Sequence, residues 1–152
     1  MKSLSSYIQE KLIIKKSNNN YKYFPETKEE LRDIILQRIE AEGNKVDLND
    51  IDVSEITDMS ELFRETHFNG NISEWDVSNV TDMSHMFWEC REFNQDISSW
   101  DVSKVKDMRS TFAGCEAFNQ DISGWDVSKV TDAYNIFKGC KIKYKFKPKF
   151  KK

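Results

Sequence analysis

The sequence predicts an α/β repeat solenoid, a short stack of coils with a helical cap at its N-terminal end. Three observations predict it. Residues 68–92, 93–117 and 118–142 repeat one 25-residue pattern, with Trp75, Trp100 and Trp125 marking the same place in each copy. Twelve positions are identical in the three copies, in residues 93–117 Phe93, Asn94, Ile97, Ser98, Trp100, Asp101, Val102, Ser103, Val105, Asp107, Phe112 and Cys115. Ahead of the repeats stands a helix-start signal followed by an apolar stripe. A period of about 20 to 50 residues is the mark of units that bury their apolar faces only against their neighbours.

The elements follow in order. Leu4, Ile8 and Leu12 recur at helical spacing and predict a short helix over 3–15. Ser17-Asn18-Asn19-Asn20 is a polar break. Thr27 is a good N-cap, and Glu30, three residues on, completes a capping box. Leu31, Ile34, Ile35 and Ile39 then share a face, and Gly43 suits the end of the helix. Residues 1–45 are thus read as an N-terminal helical segment and cap. Residues 46–142 are the solenoid. Its first unit, 46–67, is degenerate: Asp52-Val53-Ser54 matches Asp76-Val77-Ser78, Phe63 matches Phe87, Ile51 replaces Trp, and one residue is missing just after Phe63. Within a full unit the expectation is a strand near Asn94–Ser99, a turn at Trp100–Lys104 and a short helix near Asp107–Gly114. In the basic tail, 143–152, the Lys/aromatic alternation that begins at Ile142 predicts a capping strand with one apolar face.

The net charge of −3 hides a split. Residues 1–45 carry nine Lys/Arg against seven Asp/Glu, 46–137 carry six against nineteen, and 138–152 carry eight Lys and no acid. An acidic body argues against nucleic acid as the main partner, because phosphate binding needs a basic face on the fold itself. No apolar run reaches the roughly 18 residues of a membrane span, and the start, MKSLSSYIQEKLIIKK, lacks a signal peptide's apolar core. The expected location is the cytoplasm or a phage particle, with the cell surface reached only by another export route.

Candidate chemistry is sparse. His67 and His85 stand in no metal spacing, and no nucleophile elbow, phosphate loop or dinucleotide fingerprint occurs. No enzyme activity and no cofactor are expected. Cys90, Cys115 and Cys140 fill one repeat column and read as small buried residues. The Asp76, Asp101, Asp126 column and the Asp58, Asp82, Asp107, Asp132 column are read as turn caps, with stacked carboxylates holding calcium as the alternative. Trp75, Trp100 and Trp125, with Phe87, Phe112 and Phe137, are read as repeat core.

The pattern FNQDISxWDVSxVTDMxxMF, over about residues 46–142, strongly resembles the repeat of the BspA-like leucine-rich-repeat surface proteins, found also in mycoplasma lipoproteins and in gut-bacterial and phage proteins. YFPETKEELRDII looks like the lead-in helix that often precedes such repeats. The resemblance implies a right-handed solenoid with a parallel sheet on one side and helical turns on the other. It also implies adhesion or protein recognition, often at surfaces, without catalysis.

Positions that vary between copies are the candidates for specificity: Ser84, Arg109 and Tyr134 in one column, and His85, Ser110 and Asn135 in the next, both on the expected helix side. Glu74, Ser99, Gly124, Gln95 and Gln120 are the sheet-side counterparts. Trp88, whose column holds Ala113 and Lys138, is either an interface anchor or a cover over Arg64–His67. The leading expectation is a non-enzymatic protein-recognition or adhesion module binding through Trp88, His85, Arg109 and Tyr134. A structural particle component docking through residues 1–16, and a calcium-stabilised module, are the alternatives. The tail lysines guard the last edge or touch an anionic surface such as a membrane. Oligomeric state is left open.

Overall fold

The computed structural model describes Ser3, Ser6 and residues 20–152. The helix expected over 3–15 and the docking segment 1–16 fall, those two serines apart, outside the described residues. The α-helix α1 (Lys28–Glu42) begins at Thr27, whose extended backbone lets its hydroxyl accept from Glu30 N–H at 3.2 Å. The Glu30 carboxylate reaches back past the N-cap to Glu26 N–H, at 2.8 Å. Gly43, at φ 89°, ends α1 by donating to Ile39 O at 2.8 Å. Leu31 and Ile35 bury the inner face of α1 against the first repeat unit, with Ile34 and Ile39 half-buried beside them. Arg38 fixes the helix there: its guanidinium donates to Asp50 at 2.9 Å, to Asp47 O at 3.1 Å and to Glu42. Among the described residues no helix is long and apolar enough to cross a membrane.

Among the described residues the expected parallel sheet and helical turns are not present. Among the described residues there is no strand; isolated parallel bridges join Tyr23 to Ile51 and run Asp58–Asp82–Asp107–Asp132. The stretch 107–114, expected as a helix, is a chain of β-turns, and most of the molecule is turn and loop. The hydrogen bonds give the reason. Met108, Ser110, Phe112 and Gly114 donate their N–H groups to the carbonyls of Asp132, Tyr134, Ile136 and Lys138 in the next unit, at 2.8–2.9 Å. The intervening Thr111 and Ala113 donate within their own unit, to Met108 and Ser110. A strand would send that second set to another neighbour. A helix is barred by a left-handed residue every four positions: Ser110 (φ 54°) and Gly114 (φ 76°), and in the unit before, His85 (φ 56°) and Glu89 (φ 56°). Each occupies the third place of a turn closed by a bond from the fourth N–H to the first carbonyl, the type II geometry.

The units nevertheless stack in register, and the core lies inside the stack as three aromatic columns. Phe63, Phe87, Phe112 and Phe137 succeed one another at 5.3, 5.5 and 5.7 Å between centroids. Phe68, Phe93 and Phe118 form a second column, packed on the first at 4.1–4.4 Å. Trp75, Trp100 and Trp125 form the third, at 6.4 and 6.5 Å with nearly parallel planes. Such pairs contribute about 0.5–1.5 kcal/mol each beyond area burial.

Two local details differ from expectation. Glu65 N–H donates to Trp88 O and Thr66 N–H to Phe63 O, as Glu89 and Cys90 do one unit on, so register holds through Thr66. The missing residue of unit 46–67 therefore falls after Thr66, not after Phe63, and Thr66 occupies the cysteine column. The tail forms no strand. Its inward residues are Ile142, Phe146, Pro148 and Phe150, so only Tyr144, which is 90% exposed, breaks the alternation. A 3-10 turn over Tyr144–Phe146 takes Tyr144 out of that alternation, and Phe146 O accepts from Ile122 N–H at 3.0 Å.

Candidate recognition surface

The constant polar columns turn inward on the chain. Each aspartate of the repeat accepts from the backbone N–H two residues on: Asp76 from Ser78, Asp82 from Ser84, Asp101 from Ser103, Asp107 from Arg109 and Asp126 from Ser128, at 2.8–3.1 Å. Hydrogen bonds from the Ser103 and Ser128 hydroxyls and N–H groups hold the Asp101 and Asp126 carboxyls below the usual range. These are turn caps, with one oxygen of each carboxylate already engaged. Among the described residues no group of three His, Cys, Asp or Glu could hold a metal ion.

Asparagine runs a second ladder between units. Asn49, Asn69, Asn94 and Asn119 accept from the N–H groups of Glu74, Asn94, Asn119 and Lys143 at 2.9–3.0 Å. Gln95 and Gln120, candidates for an exposed face, spend their amides on Asn69 and Asn94. The tryptophans do likewise: Trp75, Trp100 and Trp125 donate Nε1–H to Leu48, Ile72 and Ile97 carbonyls at 2.9–3.2 Å. Cys90 and Cys115 are buried and Cys140 partly so; burial pushes the Cys90 thiol up to about 11 and raises Cys115 and Cys140 as well.

Part of the variable set remains outside, whereas Ser84 and Ser110 are buried. Arg109 is exposed, its guanidinium 3.1 Å from Asp107 and 3.7 Å from Asp132 of the next unit. Tyr134, in the same column, is 70% exposed, and Ser84, the third member, is buried. His85 lies half-buried, its N–H donating to Arg109 O at 2.9 Å, and Trp88 N–H donates to His85 O at 3.1 Å. The backbone ladder ties His85 to Arg109 and Trp88, and Ser110 to Tyr134, through turns rather than a helix. The column of His85, Ser110 and Asn135 is set by left-handed backbone, a demand that its varied side chains do not reveal. Trp88 is half-buried under the Arg64 guanidinium, 4.6 Å above its ring, and Arg64 in turn pairs with Glu61 at 2.9 Å. That Arg64 hydrogen bond holds the Glu61 carboxyl below its usual range. Phe87 and Phe112 are fully buried and Phe137 only partly, because it ends its column.

One comparison with known proteins gives a match. A family model described as "Mycoplasma protein of unknown function, DUF285" matches residues 33–149. No curated protein and no solved structure matches the chain. The match runs from α1 through all the repeat units into the tail, and the chain belongs to this family.

Proposed function

We propose that the chain is a non-enzymatic protein-recognition or adhesion module whose units are BspA-like repeats, of the kind used for display at surfaces. One observation carries the reading: the constant polar groups are consumed in holding turn to turn, whereas Arg109 and Tyr134, at positions free to vary, face outward. A repeating scaffold that keeps varying side chains on its outside suits binding by side-chain ladders. Tyr, Trp and Arg are the residue types that dominate binding hot spots.

The test begins with whatever co-purifies with the untagged protein from its native source. The Kd of that partner is then measured for wild type and for Trp88→Ala, Arg109→Ala and Tyr134→Ala. The reading expects at least one variant to weaken binding on the order of tenfold with the fold intact. Unchanged affinity in all three would remove these residues from the account.

A further inference from the structure

The ladder has an open last rung. In each inner unit four alternate N–H groups donate to the next unit, as Met108, Ser110, Phe112 and Gly114 do. Their counterparts in the last unit are Ala133, Asn135, Phe137 and Gly139, and among the described residues these N–H groups have no acceptor. The carbonyls of residues 132–138 are all taken. Asp132, Tyr134, Ile136 and Lys138 accept from the preceding unit, while Ala133, Asn135 and Phe137 accept from Ile136, Lys138 and Cys140. The edge therefore offers donors alone.

That polarity selects the occupant. Two such edges cannot pair symmetrically, because donors would face donors. Head-to-tail stacking of copies needs the free carbonyls of the first unit, but α1 lies there and Arg32 donates to Glu61 O and Leu62 O. The occupant must bring its own row of carbonyls, as an added segment does at an open edge. Charge narrows it further. Lys138 stands in the row itself, the Lys147 ammonium lies 5.3 Å over the Phe137 ring, and residues 138–152 carry eight lysines and no acid. The apolar column ends here as well, with Phe137 and Cys140 only partly covered.

We propose that the edge formed by Ala133, Asn135, Phe137 and Gly139 docks an acidic peptide segment of a partner protein as an additional coil. Its alternate carbonyls accept from the four N–H groups, and its carboxylates pair with the tail lysines. The proposal rests on the recognition reading and names its partner class.

The probe is the synthetic decapeptide Thr57–Thr66, TDMSELFRET, which carries three acids and one Arg and forms this coil in the first unit. It is titrated into the 15N-labelled full chain, beside a charge-reversed analogue with Lys at its three acidic positions and Glu at its Arg. The proposal expects the acidic peptide to shift the amide signals of residues 133, 135, 137 and 139. Their hydrogen exchange slows on the order of tenfold or more, while 108, 110, 112 and 114 are unchanged. Lys138→Glu with Lys147→Glu abolishes the effect. Four unmoved amides, or equal shifts with both peptides, would overturn it. If the edge fails while the Arg109 or Trp88 variant still weakens partner binding, the recognition reading stands and only the docking edge falls.

Discussion

The indole N–H of Trp100 donates to the carbonyl of Ile72 at 3.1 Å, joining one repeat unit to the one before it through the core. Trp75 and Trp125 repeat the bond. Trp100→Phe keeps an aromatic in the column but leaves a buried carbonyl without its donor, which costs about 1–3 kcal/mol. Trp100→Ala adds loss of stacking and a cavity, about 3–5 kcal/mol in all. Urea denaturation of the two variants should give that order; equal, small losses would show that the indole bond contributes nothing.

Trp88 should behave differently. It is half-buried, and its ring contact is with a partly exposed Arg64. A cation–π contact at such a site is worth about 0.5–1 kcal/mol. Trp88→Ala is expected to lower stability by no more than about 1–2 kcal/mol once lost packing is included. A loss as large as that of Trp100→Ala would make Trp88 core rather than surface.

The cysteines supply a pH prediction. Burial raises all three thiol pKa values above those of the unfolded chain. The stability they contribute is therefore complete below the unfolded thiol pKa of about 8.5 and is lost as pH rises through the folded values. For Cys90 that loss extends to about 11. Cys90 and Cys115 should resist a thiol reagent at pH 8 until the protein is denatured, and Cys90→Ala with Cys115→Ala should flatten the alkaline limb of a pH–stability curve. Rapid labelling of all three thiols in the native state would contradict the burial.

Gly114 reports on backbone. Its φ is 76°, and an added Cβ would lie 2.4 Å from the Glu89 side chain and 3.2 Å from the Glu89 backbone. Gly114→Ala should destabilise by at least about 1–2 kcal/mol, the cost of a left-handed alanine alone. Glu89 occupies the same place one unit earlier, at φ 56°. Glu89→Gly should be neutral or stabilising despite losing its pairing with Arg91. Thermal melts of both variants check the sign, and a stabilised Gly114→Ala would refute the turn assignment.

Much of this was legible in the sequence, and the illegible part has a definite cause. The period and the apolar columns follow from side chains, because Trp, Phe, Ile and Val must be buried wherever the chain turns inward. Thr27, Glu30 and Gly43 mark the ends of α1 through local hydrogen bonds. The sheet and helical turns failed because the choice between strand, helix and turn lies in backbone bonds between units. His85, Ser110 and Asn135 share left-handed backbone without sharing a residue type that demands it. The gap after Thr66 was misplaced because Thr stands in a cysteine column, where its hydroxyl donates to Phe63 O at 2.8 Å. Arg109 and Tyr134 were visible as varying positions, but their neighbour Ser84 is buried, which column variation alone does not show.

The central claim is that the units are joined by alternate backbone N–H groups reaching the next unit. Scalar couplings measured across hydrogen bonds in the 13C,15N-labelled protein read those bonds directly. The account predicts couplings from Ser110 N to the Tyr134 carbonyl and from His85 N to the Arg109 carbonyl, whose bonds are both 2.9 Å long. A coupling from Ser110 N to the carbonyl of Lys106, four residues back in its own unit, would contradict it.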